Sequence, residues 1–163
     1  MVMMDFCMGK DVSDNVDTTN NILNIIPDDH DYFSWQDMVF DAIPCDTYDG
    51  DTTGFCWIYN GKVYKCKCRC IGYDSPEMRC GTNDPERDAK KALGLKAKER
   101  FIEILNQDPF VTIHCSFYDK YGRVLVTMYN ATNGNKSIND IMIEEGHGYP
   151  YYGGTKEKLV IKK

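Results

Sequence analysis

Histidine is scarce in this chain of 163 residues, and its three copies, His30, His114 and His147, stand apart with no partner at ligand spacing. Long apolar runs are missing too. No stretch approaches the roughly 18 residues that a membrane-spanning helix needs, so no membrane partner is expected. The first residues lack a basic stretch followed by an apolar run, and no secretory signal is expected from them. Nor is there a Cys-x2-Cys pair among the eight cysteines. Cys66, Cys68 and Cys70 alternate instead, which suits one face of a strand better than a zinc site. Reduced thiols in an intracellular, cytoplasmic setting, with no disulfide-linked partner, are the expectation. Internal repeats and low-complexity tracts are absent.

Basic residues are nearly missing from one end of the chain. Residues 1–47 hold ten aspartates against Lys10 alone, a formal charge of -9, whereas the remainder carries 18 basic and 15 acidic residues, or +3. The net -6 of the whole chain therefore hides a mildly basic part. A thin positive excess suits a groove that holds phosphates transiently rather than a binder relying on broad charge neutralisation.

The length allows one domain with a real core plus an extension. Residues 1–40 read as an acidic, partly disordered extension. Near its end, Ser34 with Asp37 resembles a capping box, and a short helix through about Phe40 is expected. From residue 41 the pattern turns to strands: Phe55, Trp57 and Tyr59 alternate, Asn60-Gly61 is a hairpin turn, and a long return strand runs from Val63 to Tyr73. On that strand the cysteines take the core face and Arg69 the outer one. Asp84-Pro85 opens a helix to about Leu105 with Ala89, Leu93, Ala97, Phe101, Ile104 and Leu105 on one side, and Gly94 inside it marks close packing. A hairpin follows, over residues 111–118 and 123–129, then a helix capped by Ser137 and Asp140 and stopped by Gly146. Strand pairs interrupted by one long helix fit an α+β fold, a small five-stranded OB-type barrel with two to three helices over residues 41–154, followed by a basic tail at 155–163.

The chemistry-bearing residues cluster in three short stretches. Asp51 lies in Asp-Gly-Asp-Thr at 49–52, and Arg69, Asp74 and Glu77 lie in Arg-Cys-Ile-Gly-Tyr-Asp-Ser-Pro-Glu at 69–77. Arg123 ends Asp-Lys-Tyr-Gly-Arg at 119–123. Asp51 and Asp74 are hard oxygen ligands for a divalent cation, and the two guanidiniums can grip phosphate in a forked geometry that lysine cannot reproduce. Singly these signals are weak, since Asp-Gly is most often a turn and an exposed Arg a solvated charge. Together and in this order they suit metal-assisted cleavage of a phosphodiester.

The ordered set resembles the staphylococcal nuclease (thermonuclease) family from about Asp49 to about Tyr152, with a further element at Ile138-Asn139-Asp140 through Glu145-Gly146. The resemblance implies a calcium-dependent endonuclease that cuts DNA or RNA with little sequence preference and leaves 3′-phosphate ends. It implies a metal held by Asp51, Asp74 and the backbone carbonyl of Ser75, and a catalytic set of Arg69, Glu77 and Arg123. Lys120 and Tyr121 would contact a terminal phosphate of the substrate, and Tyr149 and Tyr151 would stack on bases or touch phosphate. A monomer is expected. The chain departs from the family pattern in having Ser75 where Thr is common, a short loop at 78–83 and no long C-terminal helix. Two rival readings stand beside this one: a catalytically inactive OB-type module that binds nucleic acid or protein, and an adaptor that engages a basic partner through its acidic segment.

Overall fold

The computed structural model describes residues 31–79, 81 and 83–153. The loose segment expected over residues 1–30 and the basic tail expected at 155–163 lie outside the described residues. The chain divides into two units at Ser34 and Trp35, and the barrel lies wholly in the second. Its elements run β1 (Val39–Pro44), β2 (Thr52–Tyr59), β3 (Lys62–Cys70), β4 (Tyr73–Asp74), α1 (Arg87–Leu105), β5 (Val111–Tyr118), β6 (Val124–Tyr129), α2 (Ile138–Glu144) and β7 (Tyr149–Pro150). Five strands close into a barrel in the order β1-β2-β3-β6-β5, while β4 and β7 pair separately. This is the expected five-stranded α+β barrel. All barrel pairs are antiparallel except β3 with β6, which is parallel and registers Arg69 opposite Leu125.

Period-two alternation sorts the side chains as expected on β3: Cys68 and Cys70 are buried, Cys66 is half-buried, and Lys65 and Lys67 face solvent. The six described cysteines are free thiols. The expected long strand from Val63 to Tyr73 is broken, however. β3 ends at Cys70 because Gly72 takes φ +88, a left-handed conformation that no strand continues through. The chain turns there and restarts as β4, and this break carries Asp74 to the Arg69 guanidinium that also holds Asp51. The short helix expected through Phe40 is not formed either. Residues 36–37 make a turn with Asp37 at φ +63, and β1 begins at Val39. Pairing wins over the capping signal, because Asp37 N–H donates to Cys115 O at 3.0 Å and Val39 registers against His114 on β5.

Helix α1 starts at Arg87, slightly later than expected, with Asp84 accepting from the backbone of Glu86 at 2.9 Å. Its buried face is Gly94, Ala97, Phe101, Ile104 and Leu105, while Ala89 is exposed. The small residues matter most for the site. A Cβ at Gly94 would come within 2.9 Å of Pro76 O, and one at Gly50 would meet Ala97 Cβ at 2.9 Å and Ser75 Cβ at 3.0 Å. Close approach at these positions presses the loop of residues 75–78 and the turn of residues 49–52 against one helix.

Helix α2 opens with Ser137 accepting from Asp140 N–H at 3.0 Å, as the capping box predicts. Its buried Asn139 donates to Ile71 O at 2.9 Å and Val126 O at 3.1 Å and accepts from Met128 N–H at 3.1 Å. One side chain thus bonds backbone groups of β6 and of the residue just after β3, and pins the helix beside the break in that strand. No helix among the described residues is long and apolar enough to cross a membrane.

Candidate active site

Three separated segments supply the centre of the site. Asp51 closes the turn before β2, Arg69 lies near the end of β3, and Asp74 is the second residue of β4. Within the turn, Asp51 N–H donates to Asp49 Oδ1 at 3.1 Å, and from β4 the Tyr73 hydroxyl donates to Gly50 O at 2.6 Å. Two neighbouring elements therefore fix the backbone that presents Asp51. Cys70 N–H adds a bond to Asp51 O at 2.8 Å.

Asp51 and Asp74 are 2% and 1% exposed, so their charges need partners. Arg69 bridges them, donating from Nη1 to Asp51 Oδ1 at 2.5 Å and from Nη2 to Asp74 Oδ1. Asp51 also accepts from the Thr52 hydroxyl at 2.7 Å and from Ser75 N–H at 2.8 Å, and Asp74 Oδ2 accepts from the Tyr149 hydroxyl at 3.0 Å. Burial works against the charge of Arg69, but the two carboxylates outweigh it and hold the guanidinium more firmly protonated than usual. Asp49, beside them, behaves differently: burial, then the charge of Asp51, push its carboxyl up to about 6.

Arg123 comes from the β5–β6 hairpin and is fixed at its base by Asp119. The Arg123 backbone N–H donates to Asp119 Oδ1 at 2.9 Å and its Nε to Oδ2 at 2.7 Å, leaving Nη1 to reach Thr52 Oγ1 at 3.2 Å. Two spaces share Arg69 and Arg123 as wall residues. A polar cavity of about 190 Å³ is lined by Asp51, Asp74, Ser75, Glu77, Arg69 and Arg123, together with Tyr48 and Asp49. A larger one of about 460 Å³ shares Arg69 and Arg123 with it and adds Lys120, Tyr121, Tyr151 and Tyr152. Lys120 and Arg123 lie over the Tyr121 ring at 5.1 and 5.5 Å from its centroid.

The fold thus gathers Asp51, Asp74, Ser75, Arg69, Glu77 and Arg123 around one cavity, and Lys120, Tyr121 and Tyr151 around its neighbour. Tyr149 lines neither; its hydroxyl is directed at Asp74. Glu77 is exposed at the cavity wall. Sequence reading passed over Tyr48, Tyr73 and Asp119 as site components. Only Asp119 carried a signal, as the first residue of a hairpin turn whose last residue is an arginine. Tyr73 and Tyr48 are visible only once β4 and the turn are folded together.

No cluster of three or more His, Cys, Asp or Glu side chains suited to a metal occurs among the described residues. The donor set expected here is of another kind, two carboxylates and a carbonyl. Asp51 and Asp74 are buried hard oxygen donors facing one cavity beside Ser75, and such a set fits calcium, which fills its six to eight positions with oxygens from protein, substrate and water.

No curated protein matches the chain. The family model for staphylococcal nuclease homologues matches residues 67–159, more than half of the chain and inclusive of Arg69, Asp74, Glu77 and Arg123. Asp51 lies outside the matched span, and its membership of the site rests on its bonds to Arg69 and Ser75. With the closed five-stranded barrel, this match identifies the chain as a member of the staphylococcal nuclease homologue family.

Proposed function

We propose that this protein is a calcium-dependent endonuclease that hydrolyses phosphodiester bonds of DNA or RNA with little sequence preference. One observation carries the reading: residues from four stretches of chain, including two arginines and four carboxylates, line a single small polar cavity. A phosphodiester repels nucleophiles with its own charge, and its transition state concentrates more charge on the equatorial oxygens, so a catalyst must neutralise and position.

Arg69 and Arg123 meet that need as wall residues of both cavities, where the guanidinium N–H groups not spent on Asp51, Asp74, Asp119 and Thr52 would be offered to phosphate oxygens. Their anchors are rigid. Arg123 is held by Asp119 at the start of β6, and Arg69 by a β3 strand whose neighbouring side chains are buried in the barrel. Glu77, exposed in the same wall, would hold the attacking water and take its proton. When bound, calcium would be held by Asp51, Asp74 and the Ser75 carbonyl and would supply Lewis-acid polarisation of the phosphate. Lys120, Tyr121 and Tyr151 would receive the adjoining nucleotide in the larger cavity, whose mixed apolar and cationic lining suits a sugar, a base and a terminal phosphate. Tyr149 would act through Asp74 rather than on substrate.

The test is direct. Labelled single-stranded DNA, duplex DNA and RNA are incubated with purified protein in calcium, in magnesium and in chelator. Cleavage in calcium that stops in chelator is the expected result. Activity undiminished by chelator would remove the metal role of Asp51 and Asp74, and no cleavage with any divalent ion alongside nucleic-acid binding would leave an inactive binding module.

A further inference from the structure

The wall of the carboxylate cavity contains an aromatic residue to which neither the catalytic reading nor the family match gives a task. Tyr48 lines this cavity but not the larger one, and its ring is 51% exposed. The Arg79 guanidinium lies 5.4 Å from the centroid of that ring. Arg79 itself is exposed, and among the described residues no carboxylate pairs with it. This distinguishes it from Arg69 and Arg123, both of which are held by aspartates. A guanidinium lying over a ring spends no N–H donor on a carboxylate there, so its donors stay available to an anion.

The arrangement matches in kind what lines the larger cavity. Tyr121 lines only the larger cavity and is likewise covered by cations, Lys120 and Arg123. Arg69 and Arg123 belong to both spaces. A strand whose phosphate is held by these two arginines continues on both sides of it, and each of the two spaces that share the arginines carries a tyrosine with a cation over its ring. We propose that Tyr48 and Arg79 form a second nucleotide subsite, in which the Tyr48 ring stacks on the base beyond the cleaved bond and Arg79 takes the next phosphate. The substrate class follows from the stacking. A base can lie on Tyr48 only if it is unpaired, so this subsite takes a single-stranded segment of DNA or RNA. This inference rests on the endonuclease reading for its register along the strand, but its binding half stands separately.

The experiment uses the full chain with Tyr48→Ala, Tyr48→Phe and Arg79→Ala. Binding of fluorescein-labelled oligothymidylate and of a duplex of equal length is measured by anisotropy in chelator. Cleavage of oligothymidylate and of bis(4-nitrophenyl) phosphate, a diester with no base, is measured in calcium. Tyr48→Ala and Arg79→Ala should each raise the Kd for oligothymidylate about tenfold, with a smaller effect on duplex, and Tyr48→Phe should restore it because the ring is kept. The ratio of kcat/KM for oligothymidylate to that for the baseless diester should fall by a similar factor. Arg79→Ala should also reduce the salt slope by about 0.7, the share of one single-strand phosphate. If wild type binds but never cleaves, the endonuclease reading fails while the Kd pattern still upholds the subsite. Kd values for both alanine variants within about twofold of wild type, or a wild type that does not bind oligothymidylate, overturn the subsite.

Discussion

Along the β2–β3 pair the side chains change from charges, where Thr52 registers with Arg69, to rings, where Trp57 registers with Tyr64. At the ring end Trp35 is 5% exposed and meets Phe40, Trp57, Tyr59 and Tyr64 edge to face, with centroids 5.2–5.5 Å away. At the charged end two carboxylates almost without solvent share one guanidinium. Ring packing here tolerates an unmet polar group: Trp57 Nε1 is buried without a hydrogen-bond partner among the described residues. The charged end has no such tolerance, because removing one partner leaves a buried charge exposed to the full desolvation cost. The aromatic end buries apolar surface, which stabilises the fold, and the proposed chemistry lies at the end whose groups are held at high electrostatic cost.

Arg69→Lys tests that contrast most severely. Lysine keeps the charge but cannot span both carboxylates, so nuclease activity should fall on the order of 10^3-fold or more, and urea unfolding should show a loss of stability as well. Near-normal rates would demote Arg69 to a structural bridge. Glu77→Gln probes the same cavity at its exposed wall. Here the rate should drop by roughly 10^2 to 10^4, while the unfolding midpoint stays within the range of an ordinary surface change, about 0.5 kcal/mol. Equal losses of rate and stability would mean that the wall is not separable from the core.

The reverse dissociation is expected at the aromatic end. Trp35→Ala removes the ring on which four others converge and should cost about 3–5 kcal/mol of unfolding free energy, with KM for oligothymidylate unchanged at temperatures where the variant is folded. Tyr73→Phe is milder. It deletes only the hydroxyl that supports Gly50 O, for a cost of about 1 kcal/mol, and its effect should appear in kcat more than in unfolding, because the support is to the turn that presents Asp51. The smallest effect is in the pH dependence. Partial burial works to raise the Asp119 carboxyl, yet the backbone and side-chain donors of Arg123 outweigh it and hold it below its ordinary 3.8. A depressed carboxylate contributes stability that is present above the unfolded value and lost as pH falls through the folded one. Asp119→Asn should therefore narrow its stability gap from wild type as pH drops below 3.8, read from urea unfolding across that range.

Alternation along β2 and β3, the Asn60-Gly61 turn, the α1 face from Ala97 to Leu105 and the Ser137 cap were all legible, because each is a local rule acting within a few residues. The failures were equally physical. Ser34 and Asp37 satisfy the rule for a helix start, but pairing with β5 at His114 and Cys115 overrides it. Nothing in the apolar pattern from Val63 to Tyr73 marks the break after Cys70, since it is produced by Gly72 at positive φ.

What the sequence determined by itself is the set of candidate groups and the strand or helix that carries each, since alternation, caps and turn residues act over short distances. What only tertiary structure decided is which groups meet. The break at Gly72 brings Asp74 to the guanidinium that also holds Asp51, and the small surfaces of Gly94 and Ala97 let α1 press the 49–52 turn and the 75–78 loop together. The same packing directs the Tyr149 hydroxyl to Asp74 and leaves Tyr48 in the cavity wall under Arg79. These distances are fixed by steric contact and charge pairing between segments far apart in the chain, which no short-range pattern encodes.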